Sequence, residues 1–220
     1  YNNRTELYAL VINKQNLVIT AKDASYIINY GGKYSITLKD SNGNVVVGEK
    51  VTFKLNGKSV GSAVTNAKGV ATISLTAKAL KSAKAGKKNM VITLTSVNYN
   101  AAAKTVKITI NKEKTKITSA IGVKTTYNVK KNLVIKLTDS RGNALKGFKI
   151  AVDLNGVKTY ATNANGQVTI NVVKLVPKTY DAKITFKGNG NYLNSEKSVK
   201  VTVKKAASKI AAKKKTFKSN

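Results

Sequence analysis

The chain has 220 residues, 42% of them hydrophobic and 6% aromatic, which is enough for one or two packed cores built mostly from aliphatic side chains. It contains neither Cys nor His, so disulfides, thiol nucleophiles, the usual zinc ligands and a proton shuttle near neutral pH are excluded. Lys and Arg number 40 against 9 Asp and Glu, a net charge of +31, and the only arginines are Arg4 and Arg141.

The first stretch of the chain has the pattern of the end of a repeat. Tyr1–Lys14 aligns without a gap with Tyr99–Lys112, and both stretches end in Ile-Asn-Lys. Tyr192–Lys204 carries a third version of the same pattern. Because recurrence of this kind indicates an array of repeats, residues 1–14 are predicted to be the last strand of a preceding repeat.

The longest repeated stretch is Lys39–Gly57, which aligns without a gap with Thr138–Gly156. Each copy begins with a polar turn, continues into alternating apolar residues and ends in Asn-Gly, the pair that tolerates the positive φ angles of a tight hairpin. The same alternation recurs through both copies, with Thr, Ser and Lys at most of the intervening positions. This pattern predicts strands that are buried on one face and exposed on the other.

Turn residues recur at equivalent positions of the two copies. Most of these turns open with Asp or Asn and close with Gly, because a short polar side chain caps nearby backbone N–H groups and glycine accepts a positive φ. Turns at this spacing between about seven short strands per copy predict antiparallel β-sandwiches. We assign a structural role to twelve of these residues: Asp40, Gly43, Asn56, Gly57, Asn66, Gly69, Asp139, Gly142, Asn155, Gly156, Asn163 and Gly166.

The repeat boundaries predict complete domains at residues 15–112 and 113–205. Residues 206–220 are predicted to be the first strand of a following repeat, because Ile210–Phe217 is similar to Ile19–Tyr26. The linkers between repeats are short and lack Gly and Pro, which favours an extended, semi-rigid array. Thr76–Asn89 is rich in Ala and Lys and predicts a helical turn, while Tyr180 is a candidate anchor of the tyrosine-corner type.

Several stretches of the chain carry the pattern of a known family of repeats, and together they cover essentially its whole length. Ile36–Asn44, Val51–Phe53 and Thr65–Thr72 resemble the bacterial-type immunoglobulin-like repeats of intimin and invasin-like surface proteins. The Lys-rich composition, Phe186–Tyr192 and the Lys-Ile pairs at residues 116–117 and 209–210 look more like the adhesin-like proteins of methanogenic archaea. The resemblance implies an all-β fold of tandem immunoglobulin-like antiparallel β-sandwiches, exported and attached to a cell surface.

No residue pattern favours catalysis, a cofactor or a metal site. Hydrolysis needs a poised base or paired carboxylates, and Asp40 and Asp139 are the only acids at equivalent positions of both copies. An EF-hand loop needs Gly at its sixth position and Glu at its twelfth, whereas here the glycine is fourth and Arg141 replaces Asn42 in the second copy. We therefore expect no enzyme activity, no cofactor and no metal.

The predicted function is that of a structural repeat segment of an extracellular surface adhesin or stalk, whose partners are the neighbouring repeats. One alternative is an adhesive module that binds glycans or acidic wall polymers directly. Another is a subunit of a filament linked by β-strands. A Lys–Asn isopeptide staple in one repeat also stays open. The shortage of arginine and of aromatic platforms argues against specific nucleic-acid binding, and no apolar stretch is long enough to span a membrane.

Overall fold

A computed structural model of the chain describes residues 13–119, 122–212 and 214–217. The chain divides into two compact units, Tyr1–Glu113 and Lys114–Asn220, called here repeat one and repeat two. Within the described residues, no helix is sufficiently long and apolar to cross a membrane. The strand predicted for residues 1–14 lies almost entirely outside the described residues.

Repeat one is a sandwich of two sheets. A three-stranded sheet has the order β1-β3-β6 and a five-stranded sheet has the order β2-β8-β7-β4-β5. Every neighbouring pair is antiparallel except β2 and β8, which are parallel. The elements are β1 (Leu17–Thr20), β2 (Ala24–Ile27), β3 (Gly32–Asp40), β4 (Lys50–Leu55), β5 (Lys58–Val64), β6 (Val70–Leu75), α1 (Ala77–Ala83), β7 (Gly86–Leu94) and β8 (Ala102–Asn111).

Repeat two has the same plan without the helix. Its sheets have the orders β14-β11-β9 and β10-β16-β15-β12-β13, and β10 is again parallel to β16. The chain is thus all-β and consists of tandem immunoglobulin-like sandwiches. The strands are β9 (Thr115–Ser119), β10 (Val123–Thr126), β11 (Asn132–Asp139), β12 (Lys149–Asp153), β13 (Val157–Ala161), β14 (Gln167–Asn171), β15 (Thr179–Phe186) and β16 (Ser195–Lys204).

The count of strands per repeat exceeds the seven predicted from the turn spacing, because the first strand is divided between the sheets. Residues 21–23 separate β1, which pairs with β3, from β2, which pairs with β8. Where the chain passes from one sheet to the other, Oδ1 of Asp23 accepts a hydrogen bond of 2.8 Å from the backbone N–H of Lys107. In repeat two, Gly122 precedes β10, and a side chain there would lie 3.1 Å from the carbonyl oxygen of Lys200.

Each repeat has its own hydrophobic core, filled by the inward residues of both sheets. The strand alternation predicted from the sequence places these residues, as in β3, where Tyr34, Ile36 and Leu38 are buried. Phe53 is fully buried in repeat one, with its ring edge-on to Tyr34 at 6.3 Å. Phe148 makes two similar contacts in repeat two, with Phe186 and with Tyr192. Because the cores are separate, each repeat is a self-contained sandwich.

The connection between the sixth and seventh strands differs between the repeats. In repeat one it contains α1, whose first turn is capped by Oγ1 of Thr76 and whose Leu80 and Ala83 are buried. The helix agrees with the Ala- and Lys-rich composition of this segment. In repeat two the connection is shorter, and the Tyr180 hydroxyl donates a hydrogen bond of 3.0 Å to the carbonyl of Val176, four residues upstream. This is the bond expected of a tyrosine-corner anchor.

The chain enters and leaves each sandwich at opposite ends. In repeat one, β1 begins beside the end of β3, since Leu17 pairs with Asp40. The last strand, β8, finishes beside the end of β2, since Asn111 pairs with Ile27. The end of β2 lies near the start of β3, where the Tyr26 hydroxyl donates to the Lys33 carbonyl. Repeat two has the corresponding registers.

The residues that the structure describes after β16 do not form a strand. Residues 206–212 and 214–217 carry no strand assignment, and Ile210 is 96% exposed. A first strand is held by pairing with the third strand of its own sandwich, as β1 is with β3. The described residues offer no such partner to residues 206–212 and 214–217, so the assignment of residues 206–220 to a following repeat stays a prediction.

Candidate functional site

The turn after β3 is built around a carboxylate. Oδ1 of Asp40 accepts hydrogen bonds of 2.9 Å from the backbone N–H groups of Asn42 and Asn44, and Oδ2 accepts one of 3.1 Å from the Asn44 side chain. The backbone N–H of Gly43 closes the turn on the Asp40 carbonyl at 3.1 Å. The carboxylate is therefore occupied by the turn itself.

Repeat two contains the same turn. Oδ1 of Asp139 accepts from the backbone N–H groups of Arg141 and Asn143 at 2.9 Å, and Oδ2 accepts from the Asn143 side chain, also at 2.9 Å. Burial raises the pKa of the Asp139 carboxyl, but the hydrogen bonds from Asn143 and Arg141 outweigh it, so the net pKa lies below its ordinary value. The pKa of Asp40 is lowered by the same balance of causes. A low pKa suits a turn brace and disfavours a general acid or base.

A second pair of turns precedes β6 and β14. Oδ1 of Asn66 accepts from the backbone N–H groups of Lys68 and Val70, at 2.9 and 3.1 Å. Oδ1 of Asn163 does the same for residues 165 and 167. Gly69 has a positive φ and packs so closely that a side chain would lie 2.6 Å from the Leu38 carbonyl oxygen. This turn therefore fixes the position of the strand it introduces.

The two Asn-Gly hairpins have different loop lengths. Leu55 pairs with Lys58 in repeat one, so Asn56 and Gly57 form a two-residue loop in which both residues have positive φ. In repeat two β12 ends at Asp153, which pairs with Val157, and the loop has three residues. Only Gly156 of that loop has a positive φ. A three-residue loop needs one left-handed residue, so Asn155 has a different role from Asn56.

Two buried threonines, Thr65 and Thr162, connect these turns to the rest of each sandwich. The alternation of apolar residues in the sequence does not predict them. Oγ1 of Thr65 accepts a 3.0 Å hydrogen bond from the backbone N–H of Glu49. Oγ1 of Thr162 accepts one of 3.0 Å from Phe148 and donates one of 2.5 Å to the Leu145 carbonyl. The sequence signal that could have identified these threonines is the Thr-Asn pair at the start of the turn in both copies.

A buried acid at the end of repeat one is the other residue that the sequence did not reveal. Glu113 lies in a Lys-rich linker, yet it is only 1% exposed, and its Oε2 accepts a 2.7 Å hydrogen bond from Nδ2 of Asn29 in the β2–β3 loop. Beside it, the Ile28 N–H donates to the Asn111 carbonyl at 2.9 Å. The end of β8 is therefore held to its own repeat. Ala206 occupies the equivalent position after β16, so no recurrence marked this acid.

The described residues include no cluster of three or more metal-binding side chains. They also include no buried lysine, which an isopeptide staple beside Glu113 would need. An open groove of about 380 Å³ lies in repeat two near the β12–β13 hairpin, lined by Leu154, Tyr160 and Leu175. The counterpart in repeat one, about 310 Å³, is lined partly by α1. Neither groove is lined by an acid.

No family model and no curated protein match the chain. Its solved structural neighbours include invasin, a bacterial integrin-binding protein, at 15% identity over 87% of this chain and 39% of that one, with a TM-score of 0.46. A Ca²⁺-stabilized adhesin of an Antarctic bacterium that binds ice matches at 15% identity over 89% of this chain and 50% of that one, with a TM-score of 0.32. The tetra-tandem repeat in the extending region of a large adhesion protein matches at 17% identity over 86% and 49%, with a TM-score of 0.39.

These neighbours are an adhesin, an invasin and a tandem repeat of a large adhesion protein, and this chain spans half or less of the length of each. At such identities and TM-scores the likeness concerns the fold and carries no argument about ligands. The integrin and the ice named for two of them are ligands of those proteins. The resemblance to the archaeal adhesin-like type stays a prediction.

Proposed function

We propose that the chain is a structural repeat segment of an extracellular surface adhesin or stalk, and that it has no enzyme activity. The observation that carries this proposal is the placement of the chain ends of each sandwich. Because β1 begins at one end and β8 finishes at the other, each repeat carries the chain across its own length. The last strand has ten residues, which at ~3.3 Å per residue spans about 33 Å.

The pairing of the first and last strands suits a segment under tension. β2 and β8 run parallel, so a pull on the two ends of repeat one drives these strands past each other along their length. Their hydrogen bonds are then loaded together instead of one at a time. Side chains reinforce the pair, since Nδ2 of Asn111 donates to Oγ of Ser25 at 2.7 Å. In this proposal, the partners of the segment are neighbouring repeats, and the segment lies at the cell surface.

Single-molecule force spectroscopy on the 220-residue chain tests the proposal. We expect two separate unfolding events, each releasing about 30 nm of chain, the extended length of one repeat. Asp23→Ala should lower the force of one event only, because repeat two has Gly122 at this place and the lost bond to Lys107 belongs to repeat one. Asp153→Ala, an exposed acid on β12, is the matched control and should change neither force.

Two outcomes would contradict the proposal. Repeats that extend without a measurable force peak could not hold a distal region away from a cell. A single event for both repeats would show that they do not resist force as independent units. Direct adhesion to glycans or acidic wall polymers is the second candidate function. It is favoured by the outer face of the five-stranded sheet of repeat one, which is lined by exposed lysines.

A further inference from the structure

The outer face of the five-stranded sheet in repeat one is lined by lysines. Lys50 and Lys54 project from β4, Lys87 from β7 and Lys107 from β8, and all four are exposed. Lys50 and Lys54 lie four residues apart on one strand, a distance of roughly 13 Å at the usual rise. Such a spacing suits an extended ligand with repeated charges and exceeds the size of a single small anion.

Hydroxyl groups occupy the middle of this face. Thr52 of β4 pairs with Ser62 of β5 on one side and with Thr93 of β7 on the other, which sets three hydroxyl-bearing residues in one row across three strands. Two rows away, Nζ of Lys107 donates to Oδ1 of Asn89 at 2.6 Å. Hydroxyl and amide groups both donate and accept hydrogen bonds, so they match sugar hydroxyls while lysines match carboxylates.

One acid, Asp23, lies at the margin of this face and is hydrogen-bonded to the backbone of β8. Asp23 lies beside Lys107, and its Oδ1 accepts the backbone N–H of that residue. The remaining described acids of repeat one lie elsewhere: Asp40 in its turn, Glu49 with Oε1 bound to the Ser96 hydroxyl at 2.9 Å, and Glu113 beside Asn29. Asp23 keeps its negative charge beside Lys107, so it offsets one of the four lysine charges and the face stays net positive.

The same face of repeat two carries three acids among its lysines. Glu196 of β16 forms an ion pair of 3.3 Å with Lys183 of β15. Asp153 of β12 pairs in register with Lys183, and Asp181 of β15 pairs with Lys200 of β16. At the equivalent register positions repeat one has Lys54, Asn89 and Ala103. Repeat two is therefore an internal comparison with the same fold and a less positive face, in which the three acids offset part of the charge of five exposed lysines, Lys124, Lys149, Lys183, Lys200 and Lys204.

We propose that this face of repeat one binds a linear acidic polysaccharide, with the lysines at its carboxylates and the Ser62–Thr52–Thr93 row at its sugar hydroxyls. Charge complementarity is the basis for the partner. A nucleic acid fits less well, because the face has no arginine for base edges and no aromatic ring for stacking. The proposal rests on the second candidate function, direct adhesion, and deepens it by naming the surface and the class of ligand. The spacer function needs no ligand and stands or falls separately.

The test measures binding of the 220-residue chain to polygalacturonate at physiological ionic strength, by calorimetry. Placing the acids of repeat two on repeat one, as Lys54→Asp, Asn89→Asp and Ala103→Glu together, should weaken binding by about tenfold or more. Repeat two has Ala151 and Thr179 where repeat one has Thr52 and Lys87. The reciprocal change in repeat two, Asp153→Lys, Asp181→Asn and Glu196→Ala combined with Ala151→Thr and Thr179→Lys, should therefore add a second site and so raise the stoichiometry.

A control variant separates this face from the net charge of the chain. Thr20→Glu, Lys33→Asp and Ser74→Asp together place the same added negative charge on the outer face of the three-stranded sheet of repeat one. Circular dichroism checks that each variant is folded. The control should bind as the parent chain does. Equal weakening by both triple variants would mean non-specific attraction and would overturn the proposal. Equal affinity for double-stranded DNA, lost through the same substitutions, would overturn the assignment to a polysaccharide.

Discussion

Two glycines with similar backbone angles should respond very differently to alanine. Gly43 and Gly69 of repeat one have φ of +86° and +68°, so alanine at either position enters the left-handed region. A side chain at Gly43 would meet nothing within 4 Å, whereas one at Gly69 would lie 2.6 Å from the carbonyl oxygen of Leu38. The first substitution costs backbone strain alone, and the second must also displace β3 or the turn.

The magnitudes follow from these contacts. Left-handed strain at an alanine costs about 1 kcal/mol, which is the whole effect expected for Gly43→Ala. At Gly69 the clash also breaks the bond that the Leu38 N–H donates to the Gly69 carbonyl at 2.8 Å. A lost buried hydrogen bond adds about 1–3 kcal/mol, so Gly69→Ala should cost about 2–4 kcal/mol.

Hydrogen exchange with mass spectrometry measures the effect in each repeat of the intact chain. Gly69→Ala should raise exchange throughout repeat one while repeat two keeps the protection of the parent chain. Repeat two supplies a replicate, since Gly142 is open and a side chain at Gly166 would lie 2.6 Å from the Leu137 carbonyl. If Gly43→Ala and Gly69→Ala destabilise equally, the close approach has no energetic role and the reasoning is refuted.

Two further predictions concern stability. The pKa of Asp139 in the folded chain lies below its ordinary value of 3.8. The Asp139 carboxylate therefore stabilises repeat two fully above pH 3.8, and this stabilisation is lost as the pH falls through the folded pKa. Asp139→Asn should remove this part of the acid dependence of repeat two, measured by urea unfolding across the acid range; an unchanged dependence would contradict the turn-brace role. Leu80→Ala should destabilise repeat one by about 3 kcal/mol, because it empties the fully buried contact of α1 with the core. Protection of repeat two in hydrogen exchange should not change, and a loss there would contradict separate cores.

The sequence by itself determined the strands, the turns and the repeat. Alternation of apolar residues is a local property, since side chains two apart on a strand point to the same face, and it placed Val51 and Phe53 in the core of repeat one. The turn at Asp40 was equally predictable, because its side chain binds backbone groups only two and four residues ahead. The helix at Ala77–Ala83 followed from composition.

Only the tertiary structure decided which sheet each strand joins and which side chains meet. The division of the first strand into β1 and β2 depends on pairing with β3 and β8, and β8 lies far along the chain. The burial of Glu113 depends on Asn29 in the same way. Likewise, the lysine face becomes visible only when β4, β7 and β8 are aligned. Patterns within a strand report its two faces, whereas neighbours across a sheet are fixed by non-local pairing that no single stretch of sequence encodes.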